Sequence, residues 1–198
     1  MNIPAQPRLL EGQLVRLEPL LPEDAADLFA SASDPEVWRW KLVAMPASEE
    51  DLRDLIQEVL IGPGRWPFAI RRADGRVIGS TTLANFDMQH GCVEMGFMWL
   101  ERAAWGQGCN EDTKRLLLRH CFETVGLHRV EWQCDARNER SIAALHRLGF
   151  GPEGVHRSRH VRPDGTRRDS QYFSQLRDEW PACDARLAQL VETHSSSG

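Results

Sequence analysis

A glycine-containing turn between an apolar segment and a helical segment is the part of the chain most clearly suited to chemistry. Gly106-Gln107-Gly108 follows the apolar run at 93–100 and precedes a segment with helical spacing that begins near Asn110. Glycine lets the backbone approach a ligand closely and adopt left-handed dihedral angles. The unpaired N–H groups of a first helical turn attract anions, and phosphate is a natural ligand there. A short G-x-G turn alone is weak evidence, because many strand-to-helix turns contain glycine.

The same turn resembles the cofactor-binding motif of the GCN5-related N-acetyltransferases (GNAT), Q/R-x-x-G-x-G/A, whose amides hold the pyrophosphate of acetyl-CoA. Trp105 stands where that motif has Gln or Arg, as in the branch that resembles the ribosomal-protein N-terminal acetyltransferases, and Asn110 replaces the small residue. Part of that branch also has a lysine four residues later, here Lys114. The resemblance assigns cofactor binding to Trp105, Gly106, Gln107, Gly108, Cys109, Asn110 and Lys114. From helix geometry alone, Asn110 could be the N-cap and Lys114 a solvated helix lysine.

A second motif strengthens the resemblance. The run at 137–150 contains N-x-x-S-x-x-x-L-x-x-L-G-F, a pattern frequent in the same branch. The resemblance implies that the Asn138 amide contacts the pantetheine arm, although Asn138 could also cap the following helix. It also implies that Ser141 protonates the departing thiolate, since the tyrosine that many members carry four residues later is Leu145 here. The alternative for Ser141 is a helix N-cap.

Acyl transfer to an amine requires a neutral amine and a protonated leaving thiol. Glu94 precedes the glycine turn, and the branch often has glutamate there, so the resemblance makes it the base that takes the amine proton directly or through water. The alternative is an outward-facing strand glutamate. We therefore predict Glu94 and Ser141 as the catalytic residues. Cys109 lies at the predicted helix N-terminus, a setting that lowers the pKa of a thiol, but direct transfer needs no enzyme nucleophile.

The elements that position these residues follow from hydrophobic periodicity and turn residues. The spacing predicts strands at 14–20, 66–71, 76–85, 93–100 and 129–134, helices at 23–32, from Ser48, and at 110–124, 141–148 and 179–191, and a hairpin at 155–176. This order predicts an α/β (α+β) fold, GNAT-like, with a mixed and mostly antiparallel central sheet of about seven strands flanked by helices. We expect one domain over 1–192 and a disordered tail over 193–198.

Composition narrows the class of function. A net charge of −5 argues against a general nucleic-acid binder. The five cysteines form no C-x-x-C pair, and the sequence shows no signal pattern or membrane-spanning apolar run, so we expect a soluble cytoplasmic protein with reduced thiols and no membrane partner. His156 and His160 lie in a predicted strand, too far apart to chelate easily, so no metal is predicted. The basic run at 156–162, together with Arg167 and Arg168, is either solvated or attracts an acidic acceptor or a cofactor phosphate.

Together the motifs predict an N-acyltransferase that moves acetyl from acetyl-CoA to a primary amine, on a peptide N-terminus or a small molecule, by direct attack. Two alternatives stay open: a different acyl group such as succinyl, and a non-catalytic acyl-CoA-binding sensor. Trp38, Trp40 and Trp66 lie near the segments that line the acceptor side in the family, and Trp38 and Trp40 could shape an acceptor pocket. By analogy, a homodimer could form through the C-terminal strands.

Overall fold

A computed structural model describes residues 3–195, apart from the side chains of residues 59 and 60. Strands and α-helices alternate irregularly along this part of the chain. In order they are β1 Leu10–Glu11, β2 Val15–Pro19, α1 Ala25–Ala32, α2 Pro35–Trp38, α3 Glu49–Leu55, β3 Trp66–Arg72, β4 Val77–Asp87, β5 Cys92–Leu100, α4 Cys109–Arg119, β6 Arg129–Asp135, α5 Glu139–Leu148, β7 Gly151–Val161, β8 Arg167–Leu176 and α6 Trp180–Ser195. Turns of π-helix extend α3 over Ile56–Leu60 and α4 over His120–Val125.

The strands form one sheet in the order β1-β2-β3-β4-β5-β6-β8-β7. Every neighbouring pair is antiparallel except β5 and β6, which are parallel. This confirms the predicted mixed, mostly antiparallel sheet flanked by helices. The sheet has one strand more than expected, because β1 contains only two residues and so carries no periodicity that a sequence could reveal.

The parallel pair in the middle of the sheet is short. Residues Cys92, Val93 and Glu94 of β5 pair with 129–131 of β6, and within the described chain no further pairing connects the two strands. Both nevertheless continue, to Leu100 and to Asp135. The two strands therefore diverge beyond Glu94 and leave a cleft within the sheet. A left-handed Phe97, with φ of 49°, lies in the diverging part of β5.

Two apolar clusters hold helices against the sheet. The larger one includes Leu117 of α4, Leu148 of α5 and Phe173 of β8, all fully buried. The smaller one joins Leu28 of α1 to Leu52 of α3. Burying side chains of this size stabilises the fold by roughly 1.5–3 kcal/mol each. The clusters thus fix α4 and α5 beside the cleft.

A local sequence signal explains where α3 begins. The Ser48 hydroxyl accepts from the Asp51 N–H at 3.1 Å, and the Asp51 carboxylate accepts from the Ser48 N–H at 3.1 Å, the capping box expected from that spacing. The last helix continues to Ser195, three residues past the predicted domain end at 192. The rest of the predicted tail, 196–198, lies outside the described residues. Among the residues described, no helix has both the length and the apolar character needed to cross a membrane.

Candidate active site

A cavity of about 530 Å³ opens where β5 and β6 diverge. Its walls come from the two strands, the first turns of α4 and α5, and the segment that follows α2. Seven residues predicted from the sequence line it: Glu94, Trp105, Gly106, Asn110, Lys114, Asn138 and Ser141. Three predicted residues, Gln107, Gly108 and Cys109, do not. The fold therefore gathers residues from both sequence motifs around one space.

The glycine turn forms one end of this cavity. Gly106 and Gly108 have φ of 71° and 77°, the left-handed region that favours glycine. A Cβ atom on Gly106 would meet nothing within 4 Å, whereas one on Gly108 would lie 2.7 Å from Leu14 Cδ1 and 2.9 Å from a His194 ring carbon. Gly106 therefore faces open space, while Gly108 lets the turn pack against Leu14, just before β2, and against α6.

The first turn of α4 supplies the N–H groups expected of an anion site. The Asp112 N–H donates to the Gly108 carbonyl at 2.9 Å as the first backbone bond of the helix. The amides before it, on Cys109, Asn110 and Glu111, therefore have no partner within the helix. Together with the positive end of the helix dipole they suit a phosphate group.

Lys114 is part of the cavity wall. It is 3% exposed, its Nζ donates to Asn110 Oδ1 at 2.7 Å, and it lies 4.2 Å from the centre of the Trp132 ring. Burial lowers the pKa of Lys114 to about 8. The interpretation of Lys114 as a solvated helix lysine is therefore wrong. The N-cap alternative for Asn110 is also wrong, because Gly108 occupies the cap position.

Cys109 and Gln107 play no part in lining the cavity. Cys109 is 2% exposed, and burial raises the pKa of its thiol in spite of the Arg72 guanidinium 3.8 Å away. The expectation of a lowered pKa is therefore wrong, since removal from water disfavours the charged thiolate by more than Arg72 favours it. The Gln107 side chain is exposed to solvent.

Trp105 anchors the glycine turn to the strand before it. Its Nε1–H donates to the Leu100 carbonyl at 2.9 Å. The Arg140 guanidinium, from the first turn of α5, lies 3.4 Å from the ring centre on the cavity side. This cation–π contact places a positive charge beside the turn.

Glu94 lies where the two strands separate. Its carboxylate accepts from Asn85 Nδ2 at 2.8 Å and from Gln133 Nε2 at 2.9 Å. The side chain is partly buried and borders the cavity. It is therefore not an outward-facing strand glutamate, because neighbouring strands hold both its oxygens at the cavity wall.

Ser141 and Asn138 begin α5 on the opposite wall. Asn138 is the N-cap, and its Oδ1 accepts from the Ser141 N–H at 3.1 Å. Ser141 is the third helical residue, which excludes the N-cap alternative for it. Burial raises the pKa of the neighbouring Cys134 thiol, although the Ser141 hydroxyl acts to lower it. Leu145, at the position where many relatives have tyrosine, is buried beside the cavity.

Comparison with known proteins identifies the family to which the chain belongs. The family model for the acetyltransferase (GNAT) domain matches residues 15–151. The chain belongs to the GNAT acetyltransferase family. It is 30% identical to the N-acetyltransferase p20 of Bacillus licheniformis, over 80% of this chain and 90% of p20. It is 33% identical to YdaF of Bacillus subtilis, provisionally named a ribosomal N-acetyltransferase, over 54% of this chain and 57% of YdaF.

A solved structure agrees with this assignment. A protein from T. thermophilus that is named as an acetyltransferase has 38% sequence identity and superposes with a TM-score of 0.88, covering 94% of this chain and 98% of its own. Enzymes of the GNAT family take acetyl from acetyl-CoA and act on amine acceptors, and the chain is accordingly an N-acetyltransferase.

Two further cations, Lys41 and Arg168, line this acetyltransferase's cavity. Sequence reasoning missed Lys41, because the segment between α2 and α3 contains no recognisable specificity motif. Arg168 belongs to the basic residues for which the sequence left a solvated surface and an anion-binding role open, and its burial excludes the solvated surface. Trp40 also lines the cavity, as predicted, whereas Trp38 and Trp66 are core residues, each 5% exposed. Within residues 3–195, no group of three or more His, Cys, Asp or Glu side chains is arranged to hold a metal ion.

Proposed function

We propose that this GNAT protein binds acetyl-CoA in the cleft between β5 and β6 and transfers its acetyl group directly to a primary amine on a peptide N-terminus or a small molecule. The observation that carries the proposal is the cavity itself. It connects an anion-binding turn at one end with a carboxylate held by two amides at the other.

The cleft fits the chemistry of the donor. The backbone amides of the α4 first turn and the open face of Gly106 would hold the pyrophosphate, with Arg140 and Lys114 as nearby positive charges. The diverging edges of β5 and β6 offer unpaired backbone groups to the pantetheine arm, and Asn138 lines the same passage. When bound, acetyl-CoA supplies an activated thioester carbonyl that an amine can attack.

The side chains at the cleft divide the proton transfers between them. Glu94 takes a proton from the acceptor amine, directly or through water, while Asn85 and Gln133 fix the direction of its carboxylate. Ser141 provides a hydroxyl at the start of α5, from which a hydrogen bond can reach the departing sulfur. Leu145 cannot supply a proton, which leaves Ser141 as the donor on that wall.

The likeness to YdaF supports a peptide N-terminus as one acceptor class, and the cavity of about 530 Å³ also admits small amines. We further place the reaction in the cytoplasm. The five cysteines form no disulfide in the described residues, and four of them are buried.

A homodimer through β7 and β8 stays a prediction, which sedimentation of the purified protein tests.

The test measures acetyl-CoA binding by calorimetry and acetyl transfer by thiol release, with a panel of peptides and small amines. Binding with turnover supports the proposal. Binding without turnover on any amine favours a sensor, and turnover only with succinyl-CoA assigns a different donor. Absence of binding overturns the proposal.

A further inference from the structure

Arg168 is a cation buried in the cavity wall. The residue is 5% exposed and lines the cavity. Its Nε is buried and has no hydrogen-bond partner. In the part of the chain that the structure describes, the Arg168 side chain forms neither an ion pair nor a hydrogen bond. An uncompensated buried guanidinium is costly, which points to a ligand that completes it.

Asp135 is the carboxylate whose charge acts on Arg168, but it is already bound to other residues. Asp135 accepts from Arg162 Nη2 at 2.6 Å and Nε at 3.0 Å, and Arg137 Nε lies 3.5 Å away. Its side chain is fully buried by these contacts. Asp135 therefore neutralises Arg162 and leaves Arg168 without a carboxylate of its own.

The strand register places Arg168 on the same face of the sheet as the proposed base, Glu94. Gln133 pairs with Tyr172 and Asp135 with Ser170, and alternate residues along a strand share a face. Arg168, two residues before Ser170, therefore lies on the face that carries Gln133 and its hydrogen-bonded partner Glu94. Trp132, which Lys114 of α4 contacts, lies on the opposite face. Arg168 thus lies on the face of the sheet opposite to the one that carries Trp132 and its contact with Lys114.

Other unsatisfied groups lie on the same face. Thr82 Oγ1 and Gln133 Oε1 are buried without hydrogen-bond partners, and both residues line the cavity. Thr82 pairs with Gly96 on β5 and Ala84 with Glu94, so Thr82 shares the face of the base. These oxygens can accept hydrogen bonds from an amine, while Arg168 can only donate. The polar groups therefore suit a molecule with an amine at one end and an anion at the other.

Lys41 is a second cation that lines the same cavity. Its Nζ donates to the Met98 carbonyl and lies 5.4 Å from the centre of the Phe97 ring. Burial, together with the charges of Arg168, Lys114 and Arg140, lowers the pKa of Lys41 to about 7. A bound anion would relieve this repulsion.

We propose that the acceptor carries a carboxylate, which Arg168 and Lys41 bind while the amine is directed to Glu94 and Gln133. This rests on the proposed function and defines its substrate class. A guanidinium presents parallel N–H donors that match a carboxylate in a bidentate arrangement. The same two cations repel an acceptor that carries additional positive charge, and this selects against polycationic amines.

The experiment compares acceptors that differ only in the anion. Acetyl transfer is measured with three pairs of acceptors: alanine and alaninamide, β-alanine and its amide, and the dipeptides Ala-Glu and Ala-Gln, both amidated at the C-terminus. The enzymes are the wild type, Arg168→Gln, Arg168→Lys and Lys41→Met. The matched control is Arg167→Gln, the same substitution on the adjacent exposed residue of β8. A second arm titrates N-acetylated acids and their amides by calorimetry, with and without coenzyme A, and needs no turnover.

We expect at least one acid to exceed its amide in kcat/KM by about tenfold or more in the wild type and in Arg167→Gln. In Arg168→Gln this preference disappears, because kcat/KM falls for the acid and much less for the amide, while KM for acetyl-CoA stays the same. Arg168→Lys retains part of the preference, and Lys41→Met reduces it. Arg168→Lys also serves if the glutamine variant does not fold.

Equal use of acids and amides, or a preference unaffected by Arg168, overturns the inference while leaving the acetyltransferase proposal intact. A raised KM for acetyl-CoA in Arg168→Gln overturns it too, since Arg168 would then bind a cofactor phosphate. If no amine is acetylated, the proposed function fails, and the calorimetric arm still decides: acid-selective binding that requires Arg168 supports the carboxylate site, and its absence overturns it.

Discussion

The Gln133 side chain on β6 donates a hydrogen bond of 2.9 Å to the Glu94 carboxylate on β5. Glu94 is the last residue of β5 that pairs with β6, and Gln133 lies two residues beyond its register partner Glu131, where the strands have begun to diverge. The position of the carboxylate is therefore fixed by the same geometry that opens the cleft. The proposed base therefore lies where the passage for the cofactor begins, a relationship that its position in the sequence does not show.

Glu94→Gln tests the role of this carboxylate as base. We expect kcat/KM for the acceptor to fall by about 10²-fold or more, because an amide cannot take the amine proton. The dissociation constant of acetyl-CoA and the free energy of unfolding should change little, since glutamine has the same shape. Glu131→Gln is the matched control, because Glu131 pairs with Glu94 in the strand register but does not line the cavity. Equal activity of the two variants would contradict the assignment.

The two glycines of the turn should respond differently to substitution. Gly106→Glu projects into open space and brings a negative charge to the phosphate-binding end, so we expect acetyl-CoA binding to be lost in calorimetry while the fold persists. Gly108→Glu collides with Leu14 and His194 instead and should lower the melting temperature. Gly106→Ala, with the same left-handed backbone but no charge, separates the strain of roughly 1–2 kcal/mol from the loss of binding. Normal binding by Gly106→Glu would remove the turn from the cofactor site.

Much of this arrangement could be predicted from local patterns. The capping box of Ser48 and Asp51 and the helix after Asn138 follow from side chains that bond backbone groups a few residues away. The short helix α2 was missed, although Asp34 followed by Pro35 is an N-cap signal: Asp34 Oδ1 accepts from the Glu36 N–H at 2.9 Å.

Burial of charged residues could not be predicted in the same way. Lys114 occupies a helix position that suits a solvated lysine, and Arg168 lies in a hairpin rich in arginine. Both are buried because β5 and β6 separate and leave a cavity between elements distant in sequence. A one-dimensional pattern shows which residues are charged but not which of them the diverging strands enclose.

Lys114→Met tests the energetics of that burial. With its ordinary pKa of 10.5 in the unfolded chain and about 8 in the folded protein, the lysine binds fewer protons when folded over that interval. Its contribution therefore makes the free energy of unfolding rise with pH between these two values, and it gives no such slope below them. The difference between wild type and Lys114→Met in urea unfolding, measured from about pH 7 to about pH 10, should show this rise. A constant difference would indicate that the lysine keeps its ordinary pKa.

Ser141→Ala separates a catalytic hydroxyl from a helix residue. The Asn138 side chain binds the Ser141 backbone N–H, a contact that alanine retains. We therefore expect little change in melting temperature and a reduction of kcat by about tenfold, with KM for acetyl-CoA preserved. Asn138→Ala should instead lower the melting temperature, because loss of the helix cap destabilises the protein by about 1 kcal/mol. Unchanged kcat in Ser141→Ala would leave the leaving thiolate to be protonated by water.

Asp135→Asn tests the charge balance that leaves Arg168 free for a ligand. The carboxylate is fully buried and binds Arg162 and Arg137, so its removal leaves buried positive charge uncompensated. We expect a loss of about 3–5 kcal/mol in the free energy of unfolding, against less than about 0.5 kcal/mol for the exposed Asp54→Asn. Although burial acts to raise it, hydrogen bonds from the Arg137 N–H and the Arg162 guanidinium hold the pKa of Asp135 below its ordinary value.

The sign of the pH dependence follows from that shift. A carboxylate with a depressed pKa stabilises the folded state above its ordinary pKa of 3.8, and the contribution disappears as the pH falls through the folded value. The stability gap between wild type and Asp135→Asn should therefore be constant near neutral pH and narrow in acid below that value. A small gap at neutral pH would mean that Asp135 is not committed to Arg162 and that its carboxylate also neutralises Arg168. Arg168 would then not be an uncompensated charge, although its Nε would still be buried in the cavity wall without a hydrogen-bond partner.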